Sequence, residues 1–139
     1  MIQLLALLLL AFGDVGTVKS EPDLERRSEL ALANADKQVD AAKQAYNGGD
    51  EKAEQQALVE VRELVDVSYD ALEHTNKAPR RSKYYKNAEL KLTALLRRLH
   101  SFRDQVNFES REAVDAVIKR VSDVHDELLA AIMSKKSER

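Results

Sequence analysis

From Tyr85 to Val106 the inward positions are Tyr85, Ala88, Leu92, Leu95, Leu99, Phe102 and Val106, alternating steps of three and four without a fault. Only a helix of about 3.6 residues per turn brings such positions to one side; a strand would scatter them over both faces. A stripe this long needs a second apolar surface to cover it, so the chain is committed to packing helices against one another. Leu96 widens the stripe. Breakers are scarce, with four Gly and two Pro in 139 residues, which leaves room for long elements and few turns.

Three other segments carry the same period. The first runs from about Pro22 to Tyr46, opened by Ser20, Glu21, Pro22 and Asp23 and closed by Asn47-Gly48-Gly49. Its stripe of Leu24, Ser28, Ala31, Ala35, Val39, Ala42 and Tyr46 is periodic but made mostly of small side chains. Burying alanine removes little apolar area, so this helix is expected to be the most weakly held. Asp50 suits the N-cap of a second helix reaching about His74, with Ala53, Ala57, Val61, Leu64, Ser68, Ala71 and Leu72 inward. Asn76-Lys77-Ala78-Pro79 stops it, because the proline ring disfavours helical backbone at Ala78. The third helix covers about Ser82 to Val106. After a turn at Asn107 to Ser110, the fourth runs from about Arg111 to Met133 with Val114, Val117, Ile118, Val121, Val124, Leu128, Leu129 and Ile132 inward.

Each helix is then roughly 25 residues, or about 37 Å at 1.5 Å per residue. Equal lengths and short connections predict an all-α domain over residues 21–134, an antiparallel up-down-up-down four-helix bundle, with a polar tail at 135–139. Two other arrangements fit the pattern: a core of the last three helices with the first packed loosely outside, and a helical hairpin that completes its core as a homodimer.

The N-terminus predicts export. Leu4 to Phe12 is an uncharged apolar run that stops at Gly13-Asp14, short of the roughly 20 residues needed to span a membrane. It is long enough for the apolar region of a signal peptide. Val18-Lys19-Ser20 offers a cleavage site after Ser20, with Gly13 and Gly16 as secondary sites, giving a signal peptide over 1–20 and a periplasmic or secreted chain. Met1-Ile2-Gln3 departs from the usual pattern in lacking Lys or Arg. No Cys follows the run, so it is not a lipoprotein signal.

Residues able to carry chemistry are few. The absence of Cys removes disulfides, thiol nucleophiles and thiolate metal sites. The residues three before His74, His100 and His125 are Ala71, Arg97 and Ser122, so the Glu-x-x-His pairs of di-iron bundles are missing. Asp70 and His74 share a helix surface, and His125 sits near an apolar stripe, where a boundary histidine paired with an acid is expected. Asp66, Asp70 and Glu73 form an acidic ridge of the kind that keeps a helix soluble. There is no Gly-rich phosphate loop, nucleophile elbow, HExxH or Trp. The expectation is a non-enzymatic structural or interaction protein with no catalytic residue, metal ligand or cofactor. The alternative is a carrier of a metal or small apolar ligand, with Ala31, Ala35, Ala57 and Ser68 leaving interior room and His125 supplying a polar contact.

Charge is distributed unevenly. Residues 21–76 hold 14 acids against 6 bases, whereas residues 77–103 hold 9 bases against 1 acid. The whole chain has a net charge of −2, which does not point to nucleic acid. Part of this pattern is expected to be internal, with Lys91 and Arg98 beside the apolar stripe and within reach of an acidic neighbouring helix. A second reading is an anion-binding end. Lys77, Arg80, Arg81, Lys83 and Lys86 cluster in one loop and the following turn, Arg97 lies further along the outward face, and Tyr84 and Tyr85 sit among them. Such clusters suit phosphate, carboxylate or lipid headgroups, so the partner is expected to be a protein or an anionic surface.

Overall fold

Four side-chain caps define the helices in a computed structural model that describes residues 15–134. The apolar run Leu4–Phe12, Gly13 and the tail 135–139 lie outside the described residues. Helix α1 spans Leu24–Asn47, and its first backbone N–H groups, from Glu25 and Arg26, donate to the Asp23 carboxylate. Helix α2 spans Glu51–His74, capped by Asp50, which accepts from the Ala53 N–H. Helix α3 spans Lys83–Gln105, capped by Ser82, and α4 spans Phe108–Met133, capped by Asn107. The expected turn at 107–110 is therefore shorter: Asn107 Oδ1 accepts from Ser110 N–H at 3.0 Å, so the helix begins at Phe108.

Between α1 and α2, Gly49 N–H donates to the Tyr46 carbonyl and Asp50 N–H to the Ala45 carbonyl. These two bonds make a Schellman turn, which requires left-handed backbone at Gly49, where φ is 74°. Asn76, with φ 57°, ends α2 in the same region of backbone space. The chain is all-helical among its described residues.

One apolar core collects all four helices. The α3 stripe is buried at every expected position. On α2, Ala53 is exposed rather than inward, while Leu58, Val65 and the carboxylate-bearing Glu54 are buried. The α2 face is thus turned slightly from the expected one, so that Leu58 and Val65 supply bulk where alanine would leave a gap.

The neighbours differ from a simple sequential ring. The α1–α2 and α3–α4 hairpins are the tightest pairs; α2 also packs on α4 and α1 on α3, while α2 and α3 lie on a diagonal and scarcely touch. Cross-helix bonds give the directions. Ser28 near the start of α1 meets Ser68 near the end of α2, so that pair is antiparallel. Tyr46 and Phe102, both near helix ends, meet edge to face at 6.0 Å, so α1 and α3 run the same way. The connection over 75–82 is long enough to cross the end of the assembly, which is why successive helices α2 and α3 need not be neighbours.

Helix α1 is not loosely attached. Its small residues let α1 and α2 approach closely, and Ala31, Ala35, Val39 and Ala42 are all fully buried. A helical segment at 15–19 precedes it, and Val18 is 2% exposed within the common core. No described helix is long and apolar enough to cross a membrane.

Candidate anionic-partner interface

The bases of residues 77–103 divide into two groups. One group is spent within the fold. Lys77 pairs with Glu25 of α1, and that hydrogen bond holds its ammonium above the usual lysine value. Arg98 reaches across to α1, where Nη1 contacts Asp36 Oδ1 at 2.8 Å and the backbone carbonyl of Asp36 at 3.1 Å, while Nη2 pairs with Asp40. Arg103 pairs with Asp115 of α4, a hydrogen bond that raises its guanidinium further above the ordinary arginine value. Arg80 is also engaged within the chain.

Arg81, Lys83, Lys86, Lys91 and Arg97 form the other group, and none of them makes an ion pair with another described residue. Lys83, Lys86 and Arg97 are exposed and occupy one outward row of α3, which also holds Asn87, Leu90, Ala94 and Ser101. Leu90, 65% exposed, lies in the middle of it. The only acid of α3 before Asp104 is Glu89, and it is turned into the α3–α4 seam, where it meets His125. The row is therefore purely cationic around a central leucine. Lys83 also lies 5.1 Å from the centre of the Tyr84 ring, which braces its ammonium on an aromatic face. The first turn of α3 carries no acid, so Lys83 and Lys86 sit against an unfavourable helix dipole, and Lys83 shares an open pocket with Asp23, Glu25 and Glu29 at the α1 start without pairing with any of them.

The expected cluster is thus rearranged. Arg81, Lys83 and Lys86 stay together at the α3 start, Lys77 and Arg80 are drawn into contacts within the chain, and Arg97 lies about 20 Å further along the same row. Lys91, expected to pair with an acidic neighbour as Arg98 does, instead edges an open groove of about 300 Å³ between α1 and α3. Leu30, an outward position by its period, is half-buried in that groove beside Tyr84. Leu90 is the exposed apolar member of the row that charge reasoning alone misses; its place there is readable from the three-four spacing to Lys86 and Arg97.

The exposed face of α2 carries acids on its second half, with Arg62 beside them. Because α2 lies diagonal to α3, its outward Glu63, Asp70 and Glu73 face away from the cationic row. Asp66 on the same side pairs with Arg120 of α4 at 2.8 Å. The net charge of −2 therefore conceals a local concentration of bases on the outward row of α3.

The histidines lie in three different settings. His74 Nδ1 lies 2.8 Å from the Asp70 carbonyl on the surface, His100 is exposed, and His125 sits in the α3–α4 seam beside Glu89 and Thr93. No group of three His, Cys, Asp or Glu side chains converges among the described residues. Ala31, Ala35, Ala57 and Ser68, candidates for interior room, are buried in the packed core, and Ser68 is bonded to Ser28.

No protein-family model, curated protein or solved structure matches this chain.

Proposed function

We propose that this chain is a non-enzymatic, exported interaction module that presents the outward row of α3 to an anionic partner. In this reading it is a four-helix bundle of two antiparallel hairpins, made with a cleaved N-terminal signal, and it acts in the periplasm or outside the cell. The observation that carries the binding face is the division of the bases. Lys77, Arg98 and Arg103 are matched to acids within the fold, while Lys83, Lys86 and Arg97, on the same row as Leu90, make no ion pair with a described residue. Isolated surface pairs contribute little to stability, so leaving three cations unmatched in one row costs the fold little and gives a partner's carboxylates or phosphates something to meet. An exposed leucine at the centre supplies apolar contact that pure electrostatics lacks. The apolar run Leu4–Phe12 supports export.

The test is retention of the exported protein on a sulfopropyl matrix at pH 7 and low salt. A chain with net charge −2 and evenly mixed charge would flow through; this one is expected to be retained. Lys83→Glu, Lys86→Glu and Arg97→Glu together should abolish retention, while Lys37→Glu with Lys52→Glu, on exposed positions of α1 and α2, should weaken it only slightly. Flow-through of the native protein, or equal elution of the row variant and the control, would remove the α3 face from the reading.

A further inference from the structure

We infer that residues 15–20 belong to the mature protein, so that signal processing falls before Val15, at the bond after Gly13, and not after Ser20. This rests on the export reading. Val18 is 2% exposed and is a member of the common core, with Val15 packed against that core. A chain of hydrogen bonds ties the segment to α1. Ser20 N–H donates to the Gly16 carbonyl at 3.1 Å, Ser20 Oγ to the Thr17 carbonyl at 2.8 Å, and Glu21 N–H to the Val18 carbonyl at 3.1 Å. Arg27 Nε of α1 then donates to the Glu21 carbonyl at 2.8 Å. Residues 15–27 are therefore one continuous docked unit leading through Pro22 to the Asp23 cap.

Cleavage after Ser20 would strip Val15 and Val18 from the core, leave the apolar surface they cover open to water, and place a new ammonium on Glu21 where its N–H now meets Val18. Cleavage after Gly13 removes none of these contacts. The sequence provides for it: Ala11-Phe12-Gly13 places small residues at the last and third-last positions, directly at the end of the apolar run Leu4–Phe12. The pair Val18 and Ser20 satisfies the same spacing less well, since its third-last residue is a branched side chain that the fold uses.

Intact mass and N-terminal sequencing of the protein recovered from outside the cytoplasm decide between the two. A chain starting at Asp14 is expected. A chain starting at Glu21 overturns the inference while leaving export standing, and a cell-retained chain still starting at Met1 overturns both. Melting of that recovered protein supplies the second arm. Val18→Asp is expected to lower its melting temperature by roughly 5 °C or more, and Lys19→Gln, at the exposed neighbouring position, to leave it unchanged. Equal melting of the two variants would show that Val18 is not part of the mature core.

Discussion

Glu89 Oε1 lies 3.0 Å from His125 Nε2 across the α3–α4 seam, and Thr93 Oγ1 stands 3.1 Å from the same nitrogen. Asp126 Oδ1 is 3.2 Å from the other ring nitrogen. Burial disfavours the charged imidazolium, but hydrogen bonds to Glu89 and Asp126 outweigh it, and the net effect raises His125 above its usual value. A folded-state value above the unfolded one means that the contribution to stability is complete below about pH 6.5 and is lost as pH rises through the raised value. The native protein should therefore lose stability on going from mildly acidic to mildly alkaline pH. His125→Gln should flatten that slope. NMR titration of His125 should also show its midpoint falling in Glu89→Gln; an unchanged midpoint would disconnect the histidine from the seam.

Glu54 presents the opposite balance. It is 2% exposed, near the start of α2. Burial raises its carboxyl above the usual value, the Ser110 hydrogen bond lowers it, and the nearby Glu51 charge raises it again, with a net upward shift. The protonated form is thus the one the fold prefers. Its contribution is present below the unfolded value of about 4.3 and is lost as pH rises through the folded one. Glu54→Gln, which keeps the shape and removes the charge, should stabilise the protein at pH 7 in urea unfolding. The gain should shrink as pH falls and the native carboxyl takes up its proton.

These two groups mark where the sequence is and is not readable. The α3 stripe is fully legible because every one of its positions is apolar at regular spacing, most of them large, and all are buried. Helix α2 is less so: Ala53 and Glu54 are adjacent, and hydropathy alone puts the alanine inside, whereas the helix turns the glutamate stem inward against Ser110 of α4. The diagonal placement of α2 and α3 has no local signal, since a connection over 75–82 reaches a neighbouring or a diagonal position equally well. The excess of bases in 77–103 is visible by counting. Their division is not, because pairing of Lys77 with Glu25 and of Arg98 with Asp36 joins residues 52 and 62 apart in the chain. Val18 is hidden for another reason: it stands in a triplet that resembles a cleavage site, and that resemblance masks a core position.

The Ser28–Ser68 hydrogen bond, 2.8 Å long and buried, is a polar link inside the α1–α2 seam. One hydroxyl donates to the other, so removing either takes away the remaining one's partner in an apolar setting. Ser68→Ala should cost about 1–3 kcal/mol, and Ser28→Ala a similar amount. The double variant should recover part of that loss, because a pair of alanines leaves no hydroxyl in need of a partner. Chemical unfolding of the four proteins tests this as a double-mutant cycle, and strictly additive losses would show that the hydroxyls are satisfied elsewhere.

Ala35 is fully buried midway along α1, and its small size is what lets α1 lie close to α2. An alanine stripe buries little area per residue, yet it removes the steric barrier to close backbone approach, so contact is gained over the whole length of the pair. The tightness of the pair therefore depends on the absence of side-chain volume. Ala35→Leu adds three carbons where the packing has no space, and should destabilise the protein by about 1–3 kcal/mol despite being more hydrophobic. Ala33→Leu, at an exposed position two residues earlier, should change stability by less than about 0.5 kcal/mol. Thermal unfolding of the two variants separates the alternatives: if Ala35→Leu melts at or above the native temperature, α1 is loosely attached after all and the seam has room that close packing excludes.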